Sequence, residues 1–316
     1  MGFLLPALLA VVAAVSAIPC PARLAAFCTI DTNNPFANLT YLVLLTFALG
    51  VLLLSLNHVA YQVLEGYLPP ISWLAPLTAW HKRKFNALAA REKDLSDKGD
   101  RSAADSVRLD QLTRYPSHED EILPTRFGNT IRAFESYSRD VYGADPISTW
   151  PRLVAVIPKE FQEQINDARA QVDFFVNLVL LSAVFAVAAV AMLLVAWAQA
   201  HFAAWPANLQ HLSTVALAAL AIAYVSYLRS IERIDDWGDL VKSAFDCYLP
   251  ALGKQLGYKV PVDSNRRRRF WIDFSILAIY RIPFAVRKRR LASKRPPAPS
   301  VARRQRRPRR SIRGQP

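Results

Sequence analysis

For 55 residues, from 174 to 228, the chain contains no Asp, Glu, Lys or Arg. Charged side chains make up much of the surface of a soluble domain, so the gap excludes an ordinary water-soluble fold for this stretch. Cysteine is scarce too. Cys20, Cys28 and Cys247 form neither a metal-ligand spacing nor a C-x-x-C redox pair. There are five histidines, and no spacing among the His, Asp and Glu residues picks out an acid–base pair, a nucleophile or a cofactor motif. The expectation is a protein that is not an enzyme and holds no cofactor or metal. A further lack is any Lys or Arg ahead of the apolar stretch 3–18. A signal peptide normally carries a basic segment there, so a retained short span is favoured over a cleaved signal, although Val15-Ser16-Ala17 offers small residues for a cut.

The charge-free run divides at a short polar patch, 199–211, containing Trp205-Pro206. Each side is long enough, or nearly so, to cross a hydrocarbon core about 30 Å thick, which takes about 20 helical residues. This predicts a transmembrane hairpin over 172–228. A second apolar segment, 39–64, follows a turn-forming DTNNP stretch at 31–35. With 3–18 the expected total is four spans, and with 53% hydrophobic and 20% charged residues there is room for substantial water-facing parts.

Basic residues give the orientation. His81-Lys82-Arg83-Lys84, Arg169, Arg229 and Arg233 flank the ends assigned inside, whereas the outer loops hold only Arg23. Both termini are expected on the cytoplasmic side, and 65–171 forms a cytoplasmic helical region. Trp197, Trp205 and Tyr41 read as outer interfacial aromatics, and Tyr67, Trp73 and Tyr227 as inner ones. Cys20 and Cys28 then share the outer loop, and both a disulfide and two unpaired thiols remain open.

Within 65–171, Pro69-Pro70 ends the second span, and 71–90 mixes Trp73, Leu74, Leu77 and Trp80 with a basic cluster, as expected of a helix at the headgroups. Residues 93–106 read as a polar loop. Ser117 followed by Asp120 reads as a capped helix start. A helix is predicted over 126–142 with Glu135 and Arg139 paired at i,i+4, and breaks are expected at 142–146 and at Trp150-Pro151. From Pro158 one helix should run into the third span, with Phe161, Ile165, Ala168, Val172 and Phe175 on one stripe. Ile231, Ile234, Trp237, Val241, Phe245 and Leu249 form a matching stripe on the way out over 229–265.

Polar residues at membrane depth are functional candidates. Asn57, His58, Asp173 and Asn177 form the candidate intramembrane site. Its two readings are a polar lining for a permeation path and a boundary ion pair, Arg169 with Asp173, plus an interhelical hydrogen bond. Ser182/Ala186 and Ala219/Ala223 offer small surfaces for close packing of spans three and four. His118, in the run His118-Glu119-Asp120-Glu121, has neighbours pointing about 100° apart on a helix, which do not converge on an ion. His201 and His211 flank the outer turn without a third ligand.

The charge of +14 is concentrated at the C-terminal end. From 65 to 171 there are 15 Lys/Arg against 16 Asp/Glu, and from 229 onward 23 against 7. Arg266, Arg267, Arg268 and Arg269, with Arg287, Lys288, Arg289 and Arg290, bracket an apolar stretch containing Asp273, Arg281 and Pro283. This predicts an interfacial segment over 266–290, with its apolar face in lipid and both clusters on anionic headgroups. The Arg/Pro-rich tail 291–316 is expected to be disordered. No aromatic residue is interleaved there to stack bases, so nucleic acid is not the expected partner.

Leu123-Pro124-Thr125-Arg126-Phe127-Gly128-Asn129, Tyr142-Gly143, Trp150-Pro151-Arg152-Leu153 and Ala244-Phe245-Asp246 together resemble a family of bacterial multipass membrane proteins with no established biochemical function. The resemblance covers roughly 123–257. It implies a bacterial inner membrane and supplies no activity. The expectation from sequence is an all-α, four-span membrane scaffold or anchoring subunit with anionic lipids and a protein partner, or further copies of itself, as partners. A channel or transporter subunit is the alternative.

Overall fold

The computed structural model describes residues 2–17, 35–73, 75–98, 103–199 and 209–283, and among these all regular structure is helical. Cys20 and Cys28, Arg23, residues 31–34 of the expected turn, His201, Trp205, the cluster Arg287-Lys288-Arg289-Arg290 and the tail lie outside the described residues. The helices are α1 (Leu4–Ala17), α2 (Pro35–Glu65), α3 (Ala75–Lys98), α4 (Ala103–Leu112), α5 (Arg126–Tyr142), α6 (Pro146–Val154), α7 (Lys159–Gln199), α8 (Leu209–Gln255) and α9 (Ser264–Tyr280). Short 3-10 turns occupy Ile71–Trp73 and Glu119–Glu121.

Among the described residues three stretches are long and apolar enough to cross a membrane: Asn38–Glu65, Lys159–Val195 and Gln210–Gln255. The 14 residues of α1 rise only about 21 Å, so by length α1 falls short of a bilayer core. It packs on α2 and α7, with Ala7 and Val11 buried.

The antiparallel pair α7–α8 is the axis of the molecule. Their 41 and 47 residues rise about 60 and 70 Å, twice what a bilayer core requires. One half of each helix therefore projects beyond the span, as the stripes predict. Ile165, Ala168 and Val172 of α7 and Ile231, Ile234, Val241, Phe245 and Leu249 of α8 are buried, with Trp237 half-buried among them. In the apolar half the contact is made by small residues instead: Ser182, Ala186 and Ala189 are buried, as are Ala216, Ala219 and Ser226, and Ala223 is half-buried.

Around the projecting half sits a platform. Phe127, Ile131 and Phe134 of α5 are buried in the core shared with α8. A Cβ on Gly238 would stand 2.9 Å from Phe134 Cδ1, so the missing side chain lets that ring approach α8. Thr125 caps α5 by accepting from Gly128 N at 2.8 Å, and Gly143 ends it at φ +75, where glycine is the least strained residue. The predicted helix 126–142 thus has its ends where its capping residues lie.

Several expectations are corrected. The loop at 93–106 is helical through Lys98 and again from Ala103, and Arg91 ties the two pieces by pairing with both Asp94 and Asp105 at 3.1 Å. Ser117 caps no helix; a single 3-10 turn follows His118 with no side-chain cap. Arg139 pairs with Glu121 at 2.7 Å rather than with Glu135, which faces Arg132 at 3.5 Å. Pro151 does not break the chain but lies inside α6. Its missing N–H would have bonded the carbonyl of Ile147, a residue 83% exposed and open to water.

The largest correction concerns α9. Its apolar face does not lie in lipid: Trp271 and Phe274 are buried in the platform core, and α9 packs on α5 and α6. Asp263 caps it by accepting from Arg266 N at 2.8 Å. Arg268 donates to the carbonyl oxygen of Asp140 at 3.1 Å, near the C-terminal end of α5, where a cation is favoured. One arginine of the 266–269 cluster assigned to headgroups is therefore engaged by protein.

Candidate functional site

At the start of the apolar half of α7 the structure brings three of the four predicted polar residues together. Asp173 Oδ1 accepts from Asn57 Nδ2 at 3.2 Å and from Tyr61 Oη at 2.9 Å, both on α2. Asn177 Nδ2 donates to Asp173 O at 2.8 Å and to Gly2 O at 3.1 Å. A Cβ on Gly2 would stand 2.8 Å from Ala170 O, so glycine permits the approach. Asp173 and Asn177 are buried. His58 is exposed on another side of α2 and belongs to no part of the cluster. The expected Arg169–Asp173 ion pair is not formed: Arg169 lies over the Trp237 ring, 5.9 Å from its centroid. Tyr61 is the member that sequence reasoning missed. It lies one helical turn after Asn57, which is the signal that could have found it. The donors converging on Asp173 bind α2 to α7, and Asn177 adds the backbone preceding α1.

Where the spans meet the platform, residues 123–129 pack on the end of α2, and at the other end of α5 Tyr142, Trp150 and the pair Phe245-Asp246 pack together. Pro124 seats against Gly66 at the end of α2, and Thr125 donates to Glu65 O at 3.3 Å. A Cβ on Gly128 would come within 2.6 Å of that same carbonyl oxygen. The Asn129 side chain accepts from Leu123 N at 2.7 Å and donates to Leu123 O at 2.9 Å. Asp246 accepts from Tyr137 at 2.9 Å and from Tyr142 at 2.7 Å, and desolvation, followed by the bond to Asp246, pushes both phenols above their usual range. Trp150 stacks obliquely on Phe245, centroids 5.9 Å apart, and Leu153 is fully buried. These contacts build a joint, holding α5 against α2 and α8, and α6 against α8.

Behind that joint lies a cavity of about 390 Å³ between α5, α6, α7 and α8. Phe134, Trp150, Trp237 and Phe245 supply aromatic walls, and Arg132, Arg139 and Arg169 border it. The Trp237 indole nitrogen and Arg132 Nε are buried without a hydrogen-bond partner among the described residues. The sequence placed Trp237 on a packing stripe but held no signal that its ring faces space. Elsewhere, His118 stands 3.8 Å from Asp140, and among the described residues no three His, Cys, Asp or Glu side chains are grouped as metal ligands.

Among the described residues the protein is thus all-helical, with three helices long and apolar enough to span a membrane. Comparison with protein-family models, curated proteins and solved structures returns no match.

Proposed function

We propose that this protein is a non-enzymatic anchoring or scaffold subunit of a bacterial inner membrane. In this reading α1 is a fourth, short span: Leu4, Leu5, Leu8 and Leu9 are exposed on one side while Ala7 and Val11 are buried on the other, as a helix between lipid and protein requires. Both termini and the platform lie in the cytoplasm, following the Lys/Arg bias. Arg266, Arg267 and Arg269, with the cluster at 287–290, bind anionic headgroups, each contributing about 1 kcal/mol. The resemblance carried by LPTRFGN and its companion motifs supports the bacterial assignment.

One observation carries the reading. The polar residues at the joint and at membrane depth are engaged within the protein: Asp173 and Asn177 tie the spans to one another, Asn129 holds the turn before α5, and Thr125 ties the start of α5 to Glu65 O at the end of α2. Such a molecule presents a rigid cytoplasmic surface at a fixed distance from the bilayer. Native mass spectrometry of the protein extracted gently from its own membrane tests this. A heterogeneous assembly with a second protein is expected, and a closed homo-oligomer that conducts ions would overturn it.

The alternative, a channel or transporter subunit, is favoured by one feature. Asn57 Oδ1 and Asn177 Oδ1 are buried acceptors without donors among the described residues, beside the Asp173 carboxylate. Ion flux into liposomes that Asp173→Asn leaves unchanged would remove it.

A further inference from the structure

The joint cavity has the chemistry of a ligand site, and nothing in the anchoring role requires it. Its volume, about 390 Å³, falls in the roughly 300–1,000 Å³ range of small-molecule pockets. The walls are apolar: the Phe134 and Trp237 rings meet edge to face at 4.9 Å, and Ile165, Val241 and Phe245 complete the chamber. The polar groups at its edge are mostly donors. The carboxylates among them are already engaged, Glu135 by Arg132 and Asp145 by the backbone N–H of Ser148. Arg139 is held by Glu121. Arg169 has no carboxylate partner within ion-pair distance among the described residues; its contact is the Trp237 ring, a weak attraction at an exposed site. Beside it are two buried N–H groups without acceptors, Trp237 Nε1 and Arg132 Nε.

We propose that this cavity binds an anionic amphiphile, its apolar body in the aromatic chamber and its carboxylate or phosphate on the exposed Arg169. The location fits such a ligand. Arg169 lies five residues before the charge-free run and Trp237 nine residues after it, about 8 and 13 Å along their helices. That is the depth just beneath a headgroup layer, reachable by an inner-leaflet lipid and by a free acyl anion alike.

The test is equilibrium binding of radiolabelled oleate to the full-length protein, in uncharged detergent and in phosphatidylcholine nanodiscs. Saturable binding near one per chain is expected, with oleyl alcohol binding at least tenfold more weakly. Arg169→Gln should weaken oleate about tenfold, the loss of one hydrogen bond to a charged group, and Val241→Trp should abolish binding by filling the chamber. Arg169 is exposed, so its variant reports on binding even if Val241→Trp fails to fold. Competition by phosphatidylglycerol in the nanodisc identifies a membrane lipid as the source, whereas oleate binding indifferent to it identifies a free amphiphile. Either result supports the site. No saturable binding, equal affinity for oleyl alcohol, or unchanged affinity in Arg169→Gln would overturn it.

Discussion

The two halves of the α7–α8 hairpin are held by different forces, although the helices run through both without interruption. In the apolar half, Ser182, Ala186 and Ala189 meet Ala216 and Ala219, while Val187 and Leu217 point outward. In the projecting half, Ile165 and Val172 meet Ile234, Val241 and Phe245, which are also covered by α5 and α6. Lipid tails are as apolar as a leucine side chain, so a large residue gains nothing by leaving them for a helix interface. Close backbone approach over small residues is what remains. In water each buried aliphatic or aromatic side chain contributes about 1.5–3 kcal/mol, so the projecting half recruits large ones and surrounds itself with more helices.

The comparison is most directly broken by deleting a large side chain from the platform around the projecting half and another from the apolar half. Trp271→Ala should cost about 3–5 kcal/mol, because the ring is 1% exposed in the platform core. Val187→Ala, at 70% exposed on the apolar half, should change stability by less than about 0.5 kcal/mol. Denaturant titration in an uncharged detergent, followed by tryptophan fluorescence and helicity, reads both. Similar losses would show that one folding unit extends through both halves.

Acid should act on the platform and spare the spans. His81 is buried against Tyr115, 2.8 Å from its hydroxyl. Burial first, and then Lys84 and Arg126, hold its imidazole down to about 4, from 6.5. The unfolded chain binds this proton more readily, so stability is full above pH 6.5 and falls as pH drops from 6.5 towards 4. The loss amounts to about 3 kcal/mol at most. His81→Gln should flatten that part of the profile in melts taken between pH 7 and 4. A slope unchanged by His81→Gln would assign the acid sensitivity to other groups.

Much of this division was legible in the sequence, because it is written in local patterns. The charge-free run marks the apolar half, the two stripes mark the projecting half, and Thr125 and Gly143 bracket α5. What escaped depends on contacts between distant residues. Asp173 meets Asn57 across 116 positions, and the cavity draws Phe134, Trp150, Arg169 and Trp237 from four helices. The burial of α9 escaped for a different reason. Tetrabasic flanks around an apolar stretch have the same pattern whether the apolar face meets lipid or protein, and only the platform surface waiting for Trp271 and Phe274 distinguishes them.

The seam between the halves should respond at an intermediate level. Asp173→Ala leaves Asn57 and Tyr61 without their acceptor, at a cost of about 1–3 kcal/mol. Asp173→Asn keeps an oxygen in place and should cost less. Because the bonds join α2 to α7, the damage should show as faster hydrogen exchange near the α2 end, with the platform core unchanged. Equal effects of the two substitutions would mean that charge, rather than hydrogen bonding, holds the seam.

A smaller loss than at Asp173 is expected at Thr125, and it is the sharpest probe of how the halves are coupled. Its hydroxyl accepts from Gly128 N, capping α5, and donates to Glu65 O at the end of α2. One side chain thus stabilises the first turn of the platform and satisfies a helix-end carbonyl of a span. Loss of an N-cap costs about 1 kcal/mol. Thr125→Ala should therefore lower platform stability by that amount, and Thr125→Ser should restore it, since only the hydroxyl takes part. Coupling predicts a second readout: exchange should rise in the last turn of α2 as well as in the first turn of α5. A rise confined to α5 would make Thr125 a local cap, and the rigid attachment of platform to spans would then rest on Gly128 and Pro124 packing against the end of α2.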